Sequence, residues 1–269
     1  MRLPIGALLL AFVSVAAACG APEHQSAAST PTPLPTLPPA PFAAFCDVPV
    51  QGVGTIAMED DYLPHVIQCE NGGAGPEALA AQAIAARSYV YYKLETSGSV
   101  QDGTGDQVYS CGSTPTAQQI DAVRRTAGQI LVYHDDVIAA FFVAGAKPSD
   151  RASCVAVPGD SDSSGTEHYV TYNDGKSGAN IEQTTLGFVN PANYRNRGCL
   201  SQWGSRCLEE SGRGFDAMVR FYYGADIVRA QASGPCVDGT AISAPPPSGV
   251  QETPAPQLWS PSMRIGSHG

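Results

Sequence analysis

The sequence is short of positive charge. Fifteen lysines and arginines face 25 aspartates and glutamates, a formal net charge of −10. No basic stripe with interleaved aromatics appears, so neither nucleic acid nor an anionic membrane face is expected as a partner. Metal-binding patterns are also missing. There is no Cys-x-x-Cys, and the five histidines are scattered without ligand spacing, so no metal and no cofactor is expected. No internal repeat is present. The one marked apolar run, residues 3 to 15, is too short and too soon followed by polar sequence to span a membrane as a helix.

That run belongs instead to an export pattern. Arg2 precedes it, and Ala16-Ala17-Ala18-Cys19 follows with the small residues of a cleavage site. Residues 1–19 therefore read as a signal peptide. The segment ending at Cys19 resembles a bacterial lipobox, which implies acylation of Cys19 and a lipid anchor; plain secretion is the alternative. Residues 20–42 are Pro, Ala, Ser and Thr with almost no charge, and 238–269 are again Pro-rich. Neither segment can bury enough apolar surface to offset chain entropy, so both are expected to be disordered. Between them, 43–237 is long enough for one domain with a single core. Seven cysteines lie beyond Cys19. In an oxidising compartment they are expected mostly as disulfides, with one left over. Cys46 and Cys236 bracket the domain and suit a closing bridge, and Cys199 and Cys207 are near enough in sequence for a local one.

Helix punctuation is clearest over "PEALAAQAIAARSYVYYK". Pro76 suits a first helical position, Glu77 the positive helix end, and Gly98 the residue past the last turn. Leu79, Ala83, Ala86 and Val90 recur at helical spacing. "GTGDQVYSC" reads as a loop entering a short strand around Val108. Thr114 and Thr116 both suit an N-cap for the next helix, with Gln119 completing a capping box from Thr116 and Gly128 closing the segment. "QILVYHDDVIAAFFVA" is two apolar runs around His134-Asp135-Asp136, a hairpin signature. Asp160, Asp162 and Glu167 fall in a polar stretch. Their spacing fits no calcium loop, and a solvated loop is the preferred reading. Two short helices follow, one in "SQWGSRCLEESG", the other carrying Phe215, Met218, Val219 and Tyr222 on one face with Gly224 at its end. Helices mixed with hairpins give an α+β class, a single mixed helix-and-sheet domain with antiparallel hairpins.

Five segments occur in a telling order: "YLPHVIQCE", "PEALAAQAIAARSYV", "DQVY", "RRTAGQILVY" and "LSQWGSRCLEESGRGFDAMVRFYYGADI". Together, over most of residues 59 to 229, the chain resembles the SpoIID/LytB family of stage II sporulation protein D, bacterial envelope proteins that act on or bind peptidoglycan. Asn71-Gly72 stands where members often have Met-Pro. The zinc-binding Cys/His cluster of some relatives has no counterpart in "VQDGTGDQVY".

The resemblance implies an exported cell-envelope protein acting on peptidoglycan as a lytic transglycosylase. Such an enzyme cleaves the MurNAc–GlcNAc bond with one glutamate serving as acid and then base. The other branch of the family implies a non-catalytic glycan-binding module that modulates a wall amidase. Glu70, after Val66 and Ile67, falls at the family's acid, in a setting able to raise a carboxyl pKa. Arg87 falls at a family arginine, expected either to orient Glu70 or contact the muramyl group, or else to pair with a structural acid. Ser201 and Gln202 are candidates for hydrogen bonds to the sugar. Trp203 is a candidate for stacking on it or for core packing, and Tyr109 for lining the cleft or for strand packing. Cys69, beside Glu70, is expected in a disulfide.

Overall fold

The computed structural model describes residues 42–187 and 192–238. The segments expected as signal peptide, linker and Pro-rich tail, with Cys19, lie outside them. The described elements run in the order β1 (Phe42–Ala43), β2 (Asp47–Gln51), β3 (Gly54–Ala57), a π-helical turn (Met58–Tyr62), α1 (Leu63–Asn71), α2 (Pro76–Ser97), β4 (Val100–Gln101) and α3 (Ala117–Arg125). Then come β5 (Gln129–Tyr133), β6 (Asp136–Val137), β7 (Phe141–Val143), β8 (Cys199–Ser201), α4 (Gln202–Glu210), α5 (Phe215–Tyr223) and β9 (Val228–Ser233). The class is α+β.

Helix α2 is the axis of the core, and its ends follow the expected punctuation: Pro76 opens it, and Gly98 closes it in the left-handed region at φ 72°. Its small side chains explain its position. Ala78, Ala80, Ala81, Ala83, Ala85 and Ala86 are all fully buried, and a surface of methyl groups lets α1, α3, α4, α5 and β5 approach on several sides. The helix has no polar face because none of its middle faces water. Its first amides are satisfied from a distant element: Glu209 of α4 accepts from the N–H groups of Glu77 (2.9 Å) and Ala78 (3.4 Å). A Cβ at Gly75 would overlap that carboxylate and displace it from these amides.

Three small sheets surround this axis. One has the order β1-β9-β5-β6, another β3-β2-β4, and the third is the pair β7-β8. Pairing is mixed: β2–β3, β5–β6 and β5–β9 are antiparallel, while β1–β9, β2–β4 and β7–β8 are parallel. The expected hairpin is present but short. His134 and Asp135 adopt φ of 51° and 62°, the positive pair that a two-residue hairpin turn demands. After β6 the chain leaves to pair β7 with β8, so the second apolar run serves two sheets. Phe42 and Ala43 form β1, paired with Ala232 and Ser233 of β9.

Of the other expectations, the Cys46–Cys236 bridge, the Thr116 capping box and the loop around Asp160 are present, and the rest are corrected. No strand forms at Val108; the segment 102–111 is a loop with a single bridge, Asp102 to Gln107. Gln107 holds it instead, donating to the Ala86 carbonyl (3.1 Å) and accepting from the Tyr62 hydroxyl (2.9 Å). Thr116, rather than Thr114, is the N-cap of α3, with Gln119 completing the box. The disulfides are Cys46–Cys236, Cys69–Cys111 and Cys154–Cys207, and Cys199 is free and buried. The Cys199–Cys207 bridge does not form because Cys199 lies in β8, paired with β7, while Cys207 is about one and a half turns along α4 and bonded to Cys154. Asp160, Asp162 and Glu167 each accept backbone N–H groups within the 146–167 region, which makes them loop brackets.

Candidate active site

Glu70 lies in the last turn of α1. Val66 and Ile67, one turn earlier, are fully buried and fix that turn against the core. The half-buried carboxyl is held from two directions. Oε1 accepts from the Val108 backbone N–H at 2.8 Å, and Oε2 accepts from the Gln202 side-chain amide at 3.2 Å. The Val108 contact is secured covalently, since the Cys69–Cys111 bridge ties the residue beside Glu70 to the far end of the same loop.

Two influences act on this carboxyl. Burial pushes its pKa up, and the hydrogen bonds from Val108 and Gln202, which favour the ionised form, pull it part of the way back. Burial prevails, so the group sits above the ordinary carboxylate range. Its place at the C-terminal end of α1, where the helix dipole is negative, acts in the same direction.

Glu70 opens on a cavity of about 780 Å³. One wall is the face of α2 that carries Tyr89, Tyr92, Lys93 and Thr96, residues spaced i, i+3, i+4 and i+7. Phe141, whose ring lies 5.6 Å from that of Tyr89, continues the lining with Phe142, Val143 and Ala144, and Ser97, Thr166, Tyr169, Leu186 and Gly187 add to it. The loop contributes Thr104, Gly105, Asp106 and Val108. Asp106, whose side chain is 3% exposed, accepts from the Tyr89 hydroxyl (2.7 Å) and the Gln101 N–H (2.8 Å) and pairs with Lys93 Nζ (3.0 Å). Half of the lining is aromatic or aliphatic, and polar groups including Glu70, Lys93, Asp106, Ser97 and Thr166 share it, the mixture found in ligand pockets.

The residues expected from sequence fare differently. Gln202 is at the site and contacts Glu70. Arg87 is not: it is fully buried and forms a bidentate pair with Glu59 (Nε–Oε1 and Nη2–Oε2, both 2.7 Å), with further bonds to Gln129, Val123 and Thr126. This is the structural-acid alternative. It removes the conflict of an arginine against a carboxyl that must hold a proton. Ser201 is buried and caps α4 by accepting from the Gly204 N–H at 2.9 Å while donating to the Ala144 carbonyl. Trp203 lies outside the cavity lining, with the guanidinium of Arg206 4.5 Å and the ammonium of Lys147 5.4 Å from its ring centre. Tyr109 is stacked on Tyr62 at 5.7 Å and donates to Asp61 at 3.0 Å, also outside the lining.

Sequence reading missed Tyr89, Tyr92, Lys93 and Asp106. The first three carried a signal in their shared helical face, hidden because α2 is apolar or aromatic nearly all round. Asp106 gave none, since its partners come from α2 and β4.

Comparison with known proteins gives one finding. Residues 49–133 match the model of the family described as SpoIID, Stage II sporulation protein. The span includes Glu70, Arg87, Tyr109 and the whole of α2, and it ends before β8 and α4, which supply Gln202. No curated protein matches the chain.

Proposed function

Starting from a chain that carries a SpoIID-family domain over residues 49–133, and so relates to sporulation and the cell wall, we propose that it is a peptidoglycan lytic transglycosylase with Glu70 as its single acid and base. The observation that carries this reading is Glu70 itself: a carboxyl raised by burial, facing a cavity with aromatic walls. In the acid step Glu70 gives its proton to the oxygen joining N-acetylmuramic acid to N-acetylglucosamine, and the C1–O bond breaks. In the base step the resulting carboxylate takes the proton of the sugar's own C6 hydroxyl as that oxygen bonds to C1, leaving a 1,6-anhydro end. The proton returns to Glu70, and no water or second carboxylate enters, unlike the two-carboxylate glycosidases.

The residues divide the remaining work. Val108 N–H and Gln202 stabilise the carboxylate between the two steps. Tyr89, Tyr92, Phe141 and Tyr169 offer ring faces and edges to the sugars. Lys93, held beside Asp106, offers a positive group to the acidic parts of the wall polymer. The same reading makes the protein exported and resident in the cell envelope, anchored by an acylated Cys19. Three disulfides fit an oxidising compartment.

A second reading has one observation in its favour. Both Glu70 oxygens are already engaged by the protein, which suits a module that binds glycan strands and modulates a wall amidase without cleaving. Mass spectrometry of sacculi incubated with the wild type and with Glu70→Gln separates the two. Catalysis gives anhydromuropeptides from the wild type and a loss of about 10²- to 10⁴-fold in the variant. Binding by both proteins with no soluble product supports the module. Undiminished release by the variant overturns the role of Glu70.

A further inference from the structure

The geometry points to Gln202 as the positioning residue of Glu70, holding the acid's carboxyl in register rather than touching the sugar. This inference rests on the reading of Glu70 as the acid and base. Gln202 is 6% exposed and is the first residue of α4, so its side chain leaves the helix at a defined point. That point is fixed several times over. The parallel pairing of β7 with β8 sets Val143 opposite Ser201. Ser201 caps the helix through Gly204 N–H and donates to the carbonyl of Ala144, and Trp203 N–H donates to the same carbonyl at 3.0 Å. Ala144 lines the cavity. One turn further along α4, Arg206 donates to Asn71 Oδ1 at 2.9 Å. Residues i and i+4 of α4 thus grip two successive residues at the end of α1, Glu70 and Asn71.

The two partners of Glu70 are not equivalent. The Val108 N–H is backbone, held by the disulfide-closed loop, and can only donate. The Gln202 amide is a side chain that ends at Oε2, and its donated hydrogen bond is stronger to the carboxylate than to the acid. It therefore favours the state reached after the first proton transfer, when Glu70 must wait for the C6 hydroxyl. The other charged or titratable groups around the carboxyl are Asp106, Lys93, Tyr89, Tyr92 and Tyr169 in the cavity. Tyr62 and Asp102 lie on the loop side, and Arg206 on α4. None of them is changed by altering Gln202.

The test is titration of Glu70 by NMR with glutamate labelled at the carboxyl carbon, the resonance being assigned by its absence in Glu70→Gln. Gln202→Met keeps the length and volume of the side chain and removes the donor. It is expected to move the Glu70 midpoint to higher pH, with the alkaline limb of the activity profile moving alongside. It should also lower kcat roughly tenfold with KM unchanged, because the group lost acted on the acid rather than on the sugar. A midpoint identical to the wild type overturns the inference, as does a raised KM with kcat retained, which would return Gln202 to substrate binding. If the variant does not fold, the wild type still decides. The Gln202 side-chain amide signals must shift with the Glu70 midpoint, and signals that ignore that titration overturn the assignment. Because the titration needs no turnover, it stands apart from the product analysis. Absence of anhydro products would defeat the catalytic reading while leaving the Gln202 contact measurable.

Discussion

A buried carboxyl whose pKa lies above its unfolded value costs the fold stability once it ionises. Below the ordinary carboxylate range Glu70 is protonated in both the folded and the unfolded state and costs nothing. As pH rises through its folded midpoint, the folded state holds the proton longer than the unfolded one, and stability falls. Glu70→Gln is neutral at every pH; its amide oxygen accepts from the Val108 N–H, and its NH2 donates to Gln202 once that amide turns its oxygen toward it. It should therefore melt at a higher temperature than the wild type at neutral pH, and the two curves should converge in acid. Thermal melts across the pH range check this, and a variant less stable at neutral pH would contradict the burial assigned to the group.

Among the elements, α2 has two separate tasks, one on each side. The cavity side presents Tyr89, Tyr92 and Lys93. The opposite side carries Arg87, which locks α2 to the π-helical turn through Glu59 and to the end of α3 through the Val123 carbonyl. Arg87→Ala would leave the Glu59 carboxylate buried without its partner, at a cost of about 3–5 kcal/mol. Chemical denaturation should show a loss of that size, with any fall in activity following the folded fraction. A folded Arg87→Ala protein of full stability but no activity would instead place the arginine in the chemistry. A similar division applies to α4. Its outer end caps α2 through Glu209, its inner end holds Glu70, and Gly204 between them lets the Tyr222 hydroxyl approach where a Cβ would overlap it.

At the scale of the molecule, Cys46–Cys236 joins positions 190 residues apart, close to both ends of the described domain. A bridge of that span restricts the unfolded chain strongly, by up to about 5 kcal/mol on the loop-entropy account. It also braces β1 against β9, a parallel pair of only two residues. Replacing both cysteines with alanine should lower the denaturation midpoint substantially while leaving the Glu70 titration where it is, because neither cysteine is near the cavity. The Cys69–Cys111 bridge differs in that it closes the loop that supplies Val108 to the site. The three bridges therefore divide between closing the domain ends, shaping the site, and pinning the 150s loop to α4 through Cys154–Cys207.

Local signals were enough for the residues whose role depends on their neighbours in sequence. Pro76, Gly98, Thr116 with Gln119, and Gly224 marked their helices because capping is a short-range matter, and the order of segments around Glu70 marked the resemblance that the family model matches over residues 49–133. The identity of the partners was not local. Whether Arg87 meets Glu70 or Glu59, whether Cys207 joins Cys199 or Cys154, and whether Gln202 faces a sugar or the acid depend on how α2, α4 and the 102–111 loop pack. Those contacts span from 28 residues, for Arg87 and Glu59, to 132, for Gln202 and Glu70. Sequence determined which residues can carry a proton, cap a helix or form a bridge, because those are properties of the side chain and its near neighbours. Only the tertiary structure decided which of them meet, because pairing across such distances is set by the packing of whole elements.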